Sequence, residues 1–255
     1  MSAPTRPNPQ ILAAGLCCRI IGLGGIGQIV ATYLVRYLSS LNVKARVVLI
    51  DGDDFEQGNE TRMSVSNFFE NKATAAVDAV AASCRGSSVT VLGVAEYVRP
   101  DNLASLIHSG PGESVLMCVD NHATRKLVGD YCEGLKDICL LSGGNDGVGP
   151  DGSGTMRHGT AGNVQVVLRR GSRTMTPGLS DHHPEIASPK DARPGDEGCG
   201  VLMASAPQIL FTNLTAAACL LNTWRLFVTG ELHYSELVFN IQHGRTAPLI
   251  RMATP

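Results

Sequence analysis

The sequence predicts an α/β fold, a Rossmann-like, doubly wound and mostly parallel sheet with helices on both faces. Short apolar runs alternate with helical segments up to residue 141, which is the pattern of βαβ units. A glycine-rich turn, Gly22-Leu23-Gly24-Gly25-Ile26-Gly27, separates the first run from the first helix, as in many nucleotide-binding units. A chain of 255 residues fits one domain of this class, covering residues 1–255.

The elements are expected in the following order. Residues 1–16 form an N-terminal arm, extended as far as residue 10 because of its three prolines and followed by a short helix. Strands are expected at residues 17–21, 46–50, 89–94, 114–119, 138–141, 163–169 and 236–241. Helices are expected at residues 28–41, 71–84, 121–133 and 206–228, with a short one starting at Pro100. The glycine-rich residues 142–162 predict a loop or a wide hairpin, and the polar residues 171–200 predict a long crossover loop, typical of a functional segment.

Composition narrows the classes of partner. The net charge of −2 and the lack of any basic block argue against nucleic acid or an anionic membrane as the main partner. The longest apolar stretches contain Arg36 and Arg225, so no membrane span is predicted. The N-terminus lacks a signal-peptide pattern, which predicts a cytoplasmic protein, and the eight scattered cysteines are expected to be free thiols.

The glycine turn is the first candidate site. Glycines permit a tight turn and let a nucleotide approach the backbone, and the following helix offers free N–H groups to a phosphate. Asp51, at the end of the second strand, is placed to bind ribose hydroxyls, whereas Asp53 stays open between a solvated loop and the site. The same pattern serves NAD and FAD enzymes, so an oxidoreductase remains an alternative. The candidate nucleotide-binding glycines are Gly22, Gly24, Gly25 and Gly27.

Polar residues after Asp51 favour a triphosphate. Arg62 and Lys72 can hold phosphate oxygens and neutralise charge on a leaving pyrophosphate. Asp120 ends the fourth strand, where open α/β sheets bind ligands, and an aspartate can carry Mg²⁺ together with phosphates. A cap of the following helix is the other interpretation of Asp120.

In their order and spacing, these motifs resemble the ThiF/MoeB/HesA superfamily of ubiquitin-activating-type adenylating enzymes over residues 17–241. The family pattern is GxGGxG, Asp-x-Asp, Asn-x-x-Arg, Lys and an Asp-Asn pair. The matching segments are the glycine turn, Asp51-Gly52-Asp53, Asn59-Glu60-Thr61-Arg62, Lys72 and Asp120-Asn121.

The resemblance implies a role for each matching residue. Gly24, Gly25 and Gly27 approach the α-phosphate, and Asp51 binds the ribose hydroxyls. Asp53 and Asn121 are counted among the nucleotide-binding residues. Asn59, Arg62 and Lys72 contact the phosphates. Asp120 binds Mg²⁺. Arg125 completes an Asp-Asn-x-x-x-Arg pattern and is functional or structural. Cys199 falls where the family carries a nucleophile, and packing as a small buried residue is the equal alternative.

The implied activity is ATP-dependent adenylation of a carboxylate, with ATP and Mg²⁺, by a homodimer. The expected substrate is the C-terminal glycine of a ubiquitin-like or sulfur-carrier protein, with possible transfer to Cys199. A peptide, a small metabolite and a tRNA-linked group are the alternatives.

Three features depart from the family. Met63 stands where the family often has Gln, and neither Arg6 nor Arg19 fits the arginine that the arm supplies to a partner subunit. The chain has no Cys-x-x-Cys pair, so no structural zinc is predicted. His158, His182 and His183 match no zinc pattern and are expected to be solvated loop residues.

Overall fold

The computed structural model describes residues 7–55, 70–150, 154–196 and 208–251. The strands are β1 (Leu16–Ile21), β2 (Ala45–Ile50), β3 (Val89–Val94), β4 (Glu113–Met117), β5 (Ile138–Asn145), β6 (Val148–Pro150), β7 (Met156–His158), β8 (Ala161–Arg170), β9 (Arg173–Thr174), β10 (Glu236–Asn240) and β11 (Arg245–Leu249). The helices are α1 (Pro9–Ala14), α2 (Gly25–Leu41), α3 (Lys72–Cys84), α4 (Leu103–Leu106), α5 (His122–Glu133), α6 (Pro184–Ala187) and α7 (Leu210–Thr229).

The main sheet has the order β11-β10-β8-β5-β4-β1-β2-β3, with β9 paired to β8. Strands β1 to β5 are parallel, and β8, β10 and β11 continue the sheet antiparallel. The carboxyl ends of β1 to β4 therefore meet at one edge, with β1 between β4 and β2. This edge, called the carboxyl edge below, carries the glycine turn and the loops that follow the neighbouring strands.

Helices cover both faces of the sheet, as the sequence predicts. Helices α2, α3 and α7 pack on one face around Ile20 and Leu116. Helices α4, α5 and α6 pack on the opposite face around Ile21 and Met117. Each such buried aliphatic side chain contributes about 1.5–3 kcal/mol relative to exposure.

Helix α2 shows how the sequence places the first helix. Ile26, Val30, Leu34 and Leu38 recur every four residues, so one apolar stripe faces the sheet. Asn42 ends the helix in the left-handed conformation, with φ of 51°. The start of α2 is thereby fixed at the carboxyl edge.

The expectation of an extended arm up to residue 10 is wrong at Pro9 and Gln10, where α1 begins, whereas the short helix after the arm is confirmed. Asn8 accepts a hydrogen bond from the Gln10 amide at 2.9 Å and so caps α1. The Asn8 amide donates to the Val228 carbonyl at 2.6 Å, and Ile11 is buried in the core. This part of the arm is packed onto α7 rather than free.

Strand β5 continues to Asn145, four residues beyond the expected end. The antiparallel pairing of β6 with β7 confirms the hairpin alternative for the glycine-rich residues. Two further segments differ from expectation. The crossover segment, defined here as residues 171–196, contains β9 and the short helix α6. Strand β11 was not expected, because its exposed residues lack the apolar alternation of a half-buried strand.

Arg19 is a buried residue of β1 that pairs with Glu113 on β4. Its guanidinium also contacts the Leu106 carbonyl and His108, so it does not act as a mobile arginine.

Among the described residues, no helix combines the length and apolar character needed to cross a bilayer.

Candidate functional site

The glycine turn after β1 requires glycine at two positions for different reasons. Gly22 has φ of 85°, and a Cβ there would lie 3.0 Å from the Val119 backbone nitrogen. A Cβ on Gly27 would lie 1.9 Å from the Gly22 carbonyl oxygen. At Gly24, by contrast, an added Cβ would meet no atom of the described residues within 4 Å. The turn is tight on its inner side and open at Gly24.

The N-terminus of α2 lies at this opening. Its cap residue is Gly24, whose lack of a side chain leaves the first-turn N–H groups without a side-chain acceptor among the described residues. The 17-residue helix directs the positive end of its dipole to the same place. The local geometry suits an anion such as a phosphate.

Asp51 links the end of β2 to the glycine turn. Its carboxylate accepts hydrogen bonds from the Leu23 amide at 2.5 Å and from the Asp53 amide at 2.9 Å. Burial raises the pKa of Asp51, and the two amides oppose that rise. Because each carboxylate oxygen can accept a second hydrogen bond, binding to ribose stays a prediction that this geometry permits.

Asp53, in the loop after β2, forms an ion pair with Lys72 at the start of α3. The Lys72 ammonium lies 2.9 Å from the Asp53 carboxylate, and the lysine side chain is only 11% exposed. The Tyr97 hydroxyl donates to the other Asp53 oxygen at 2.5 Å. The sequence did not decide whether Asp53 belongs to the site or to a solvated loop. In the structure, Asp53 forms an ion pair with Lys72, the lysine that is expected to contact phosphates.

Asn71 is a structural residue of the site that the sequence did not identify. Its side-chain nitrogen donates to the carbonyls of Asp51 and Asp53 at 3.1 and 3.0 Å. Its oxygen caps α3 by accepting from the Ala73 amide at 2.8 Å. An asparagine directly before an alanine-rich helix is the signal that could have identified the cap.

The loop between β4 and α5 carries Asp120 and Asn121. Asn121, not Asp120, caps α5, since its side-chain oxygen accepts from the Thr124 amide at 2.7 Å. The cap interpretation of Asp120 is therefore wrong. Asp120 is exposed, and its carboxylate makes no hydrogen bond or ion pair within the described ranges. It is a free oxygen donor at the carboxyl edge.

Arg125 is buried and connects the loop after β4 to strand β5. It donates to the Val119 carbonyl at 2.8 Å, to the Gly143 carbonyl at 3.1 Å and to the Ser142 hydroxyl at 3.0 Å. Burial lowers the pKa of Arg125. Of its two possible roles, these contacts describe the structural one, which fixes the backbone next to Asp120.

The crossover segment reaches the carboxyl edge at two points. Asp191 accepts from the backbone amides of His122 and Ala123 at 2.7 and 2.9 Å, at the start of α5. Gly195 lies against the Tyr97 ring, where a Cβ would be 3.0 Å from Cδ2. The segment therefore contacts both the start of α5, next to the loop after β4, and the loop after β3. Nothing in the sequence alone distinguishes Asp191 from its acidic neighbours.

The histidine expectation needs one correction. His158 and His182 are exposed, but His183 is half-buried between two carboxylates. Its ring nitrogens lie 3.0 Å from Glu236 and 3.1 Å from Glu185. His183 thus fixes α6 to β10 rather than extending into solvent. Within the described ranges, no three His, Cys, Asp or Glu side chains form a group that could hold a metal ion.

Three predicted residues, Asn59, Arg62 and Cys199, lie outside the described residues, as does Met63. The structure brings the other candidates to the carboxyl edge: the glycine turn follows β1, Asp51 follows β2, Lys72 pairs with Asp53, and Asp120 follows β4. Their contacts with a nucleotide or metal stay predictions.

Comparisons with known proteins cover nearly the whole chain. The ThiF family model matches residues 13–224. A solved structure of PaaA matches with a TM-score of 0.59 and 19% identity, covering 93% of this chain and 65% of PaaA. E. coli MccB with MccA matches with a TM-score of 0.66 and 15% identity, covering 96% and 66%. E. coli MccB with ATP gives 0.64 and 16%, covering 96% and 65%. No curated protein matches the chain.

These similarities concern the fold, since all three identities are below 20%. The mixed sheet with its antiparallel extension is the architecture that this chain has in common with MccB and PaaA. The chain spans slightly less than two thirds of the length of these solved proteins.

Proposed function

The chain belongs to the ThiF family, and on that premise we propose that it activates a carboxylate by ATP-dependent adenylation. One observation carries the proposal. The open glycine turn, the Asp51 carboxylate, the Asp53–Lys72 pair and the free Asp120 carboxylate all belong to the carboxyl edge. An oxidoreductase would use the turn and Asp51, but its chemistry gives Lys72 and Asp120 no task.

The reaction needs positioning and charge stabilisation more than proton transfer. A carboxylate oxygen of the substrate attacks the α-phosphorus of ATP, the bond to the bridging oxygen breaks, and pyrophosphate leaves with the electron pair. The carboxylate is already ionised at neutral pH, so no general base is required. Lys72, together with Arg62, stabilises the charge that develops on the leaving group, and the α2 N-terminus holds the α-phosphate.

The exposed carboxylate of Asp120 is suited to bind Mg²⁺. This cation binds proteins through one or two carboxylates and takes its remaining ligands from phosphates and water. When bound, it neutralises phosphate charge and orients the pyrophosphate. Arg125 holds the backbone that carries Asp120, and Asp191 covers the adjoining helix start.

The substrate class is a peptide or small protein with a free terminal carboxylate. E. coli MccB has been solved with MccA, which supports a small protein or peptide as partner of this fold. A ubiquitin-like or sulfur-carrier protein with a terminal glycine is the narrower form of the proposal. Transfer of the acyl group to Cys199 and assembly as a homodimer are separate predictions, tested by adduct trapping with a Cys199→Ala control and by measured solution mass.

Two experiments test the proposal. ATP with Mg²⁺ at about 100 times its dissociation constant should add about 2.7 kcal/mol of stability, whereas NAD should add none. Pyrophosphate exchange with candidate carboxylate substrates should then depend on Asp120. Asp120→Asn is a suitable variant, because that side chain makes no bond within the described ranges and its loss should leave the fold intact. Stabilisation by NAD and not by ATP would overturn the proposal.

A further inference from the structure

The Tyr97 ring lies beside Asp53, in a space that is open because Gly52 has no side chain. A Cβ on Gly52 would lie 2.6 Å from the Tyr97 ring carbons Cγ and Cδ1. The ring therefore packs directly against the backbone of Gly52, the residue between Asp51 and Asp53. Only glycine fits at position 52 while the ring stays in place.

The Tyr97 hydroxyl controls one oxygen of Asp53. It donates to Oδ1 at 2.5 Å, while Oδ2 pairs with the Lys72 ammonium at 2.9 Å. Burial and the neighbouring Asp53 carboxylate raise the pKa of Tyr97, so the phenol stays a donor at neutral pH. The phenol O–H therefore occupies an acceptor position on Oδ1 and makes that oxygen a weaker acceptor for Lys72 than Oδ2.

The opposite side of the same ring receives the crossover segment. A Cβ on Gly195 would lie 3.0 Å from Tyr97 Cδ2, and Gly195 has φ of 81°. Arg193 closes this turn by an ion pair with Asp196 at 3.0 Å. The ring thus lies between the segment that holds Lys72 and the segment that crosses the carboxyl edge.

We infer that Tyr97 is a positioning residue that couples Lys72 to the crossover segment: its hydroxyl restrains Asp53, and its ring is the surface on which Gly195 rests. The inference rests on the proposed function, in which Lys72 contacts ATP phosphates. An ammonium has three donors, so Lys72 can keep one bond to Asp53 and offer the others to phosphate oxygens. Without the hydroxyl, Oδ1 becomes a stronger acceptor for Lys72, and it then competes with the phosphates for the ammonium donors.

Tyr97→Phe tests the inference, because it removes the hydroxyl and keeps the ring. We expect the dissociation constant for ATP·Mg²⁺, measured by calorimetry, to rise about tenfold, which corresponds to the low end of a hydrogen bond to a charged group. The melting temperature without ATP should change little. Tyr131→Phe is the matched control, since it also removes a half-buried hydroxyl, one that donates to the Ile107 carbonyl at 3.3 Å away from the carboxyl edge.

A second readout separates positioning from general stability. In the wild type, ATP·Mg²⁺ should slow amide hydrogen exchange in residues 190–196. At saturating ATP, Tyr97→Phe, which keeps the ring, should retain that protection, whereas Tyr97→Leu, which removes the ring, should lose most of it. Wild-type affinity in Tyr97→Phe or wild-type protection in Tyr97→Leu would overturn the inference, as would faster exchange throughout the chain in Tyr97→Phe, which marks a merely structural role. If the wild type itself binds no ATP·Mg²⁺, the proposed function fails. If the wild type binds ATP·Mg²⁺ and Tyr97→Phe binds it equally well, only the inference about Tyr97 fails.

Discussion

Gly27 packs directly against Gly22, since a Cβ on Gly27 would lie 1.9 Å from the Gly22 carbonyl oxygen. Gly27→Ala therefore forces α2 away from the turn, and the obstacle is backbone, which cannot move aside cheaply. We expect a loss of about 1–3 kcal/mol, as for other overpacked sites, and a lower melting temperature. ATP binding should weaken as well, because the start of α2 shifts.

Gly24→Ala is the matched control for this prediction. Its Cβ would meet no described atom within 4 Å, so the fold has room for it. The melting temperature should hardly change, because the lower entropy of the unfolded chain offsets the poorer cap. ATP stabilisation should fall, since the methyl group enters the opening. A large loss of stability in Gly24→Ala would contradict this account of the turn.

The sequence predicts the first half of the fold well because apolar runs and amphipathic helices report burial directly. Strand β1 is recognisable although it contains Arg19, since its neighbours are all apolar. Strand β11 is not recognisable, because among the described strands it pairs only with β10, and because it is mostly exposed and contains Pro248. A strand of this kind is specified by its partner rather than by its own pattern.

Some residues of the candidate site could likewise be predicted from the sequence, and others could not. Gly22, Asp51 and Asp120 could be predicted because each directly follows a strand that the pattern identifies. Tyr97 and Asp191 could not, because their roles depend on contacts with residues far away in the chain. Asp53 was ambiguous for the same reason, since only its partners distinguish it from a solvated loop residue.

Asn213 on α7 is fully buried, and neither polar atom of its side chain has a hydrogen-bond partner among the residues that the structure describes. A buried polar group without a partner costs about 1–3 kcal/mol, so Asn213→Leu should raise the free energy of unfolding. Denaturant unfolding measures the effect. Asn222→Leu is the control on the exposed face of the same helix, where the gain in helix propensity is equal but no buried amide is removed. A destabilised Asn213→Leu variant would show that the amide has a partner in solution.

His183 should make stability depend on pH. Its hydrogen bond to Glu236, supported by Glu185, raises the pKa of His183 despite the opposing effect of burial. Both ring nitrogens face carboxylate oxygens, so the doubly protonated ring satisfies both contacts and the neutral ring only one.

The sign of this dependence follows from the direction of the shift. The contribution of His183 is complete below its unfolded pKa of about 6.5 and is lost as pH rises through its higher folded pKa. The free energy of unfolding of the wild type should therefore fall across that window relative to His183→Asn. His182→Asn, an exposed neighbour, should keep the wild-type profile. Parallel profiles for the wild type and His183→Asn would contradict the prediction.

Glu236 adds a second, acidic transition to the same cluster. Burial alone would raise its pKa, but hydrogen bonds from His183 and Asn163 and the charge of Arg251 lower it to about 2. Its contribution is present above the unfolded value of about 4.3 and is lost as pH falls through about 2. Glu236→Gln should remove this transition from acid unfolding curves, whereas an unchanged curve would show that other carboxylates dominate.

Asp191 should control how firmly the crossover segment is attached to α5. Its carboxylate accepts from the His122 and Ala123 amides, which are two of the free donors at a helix start and lie at the positive end of the dipole. Asp191→Ala should cost about 0.5–2 kcal/mol, as for the loss of other N-terminal caps. Amide hydrogen exchange should quicken at residues 122–123 and 190–196 and stay unchanged at β1. Asp181→Ala is the control, because Asp181 accepts from the Gly178 amide within the crossover segment and, among the described residues, makes no hydrogen bond to the start of α5. Equal effects of the two variants on residues 122–123 would contradict a specific attachment through Asp191.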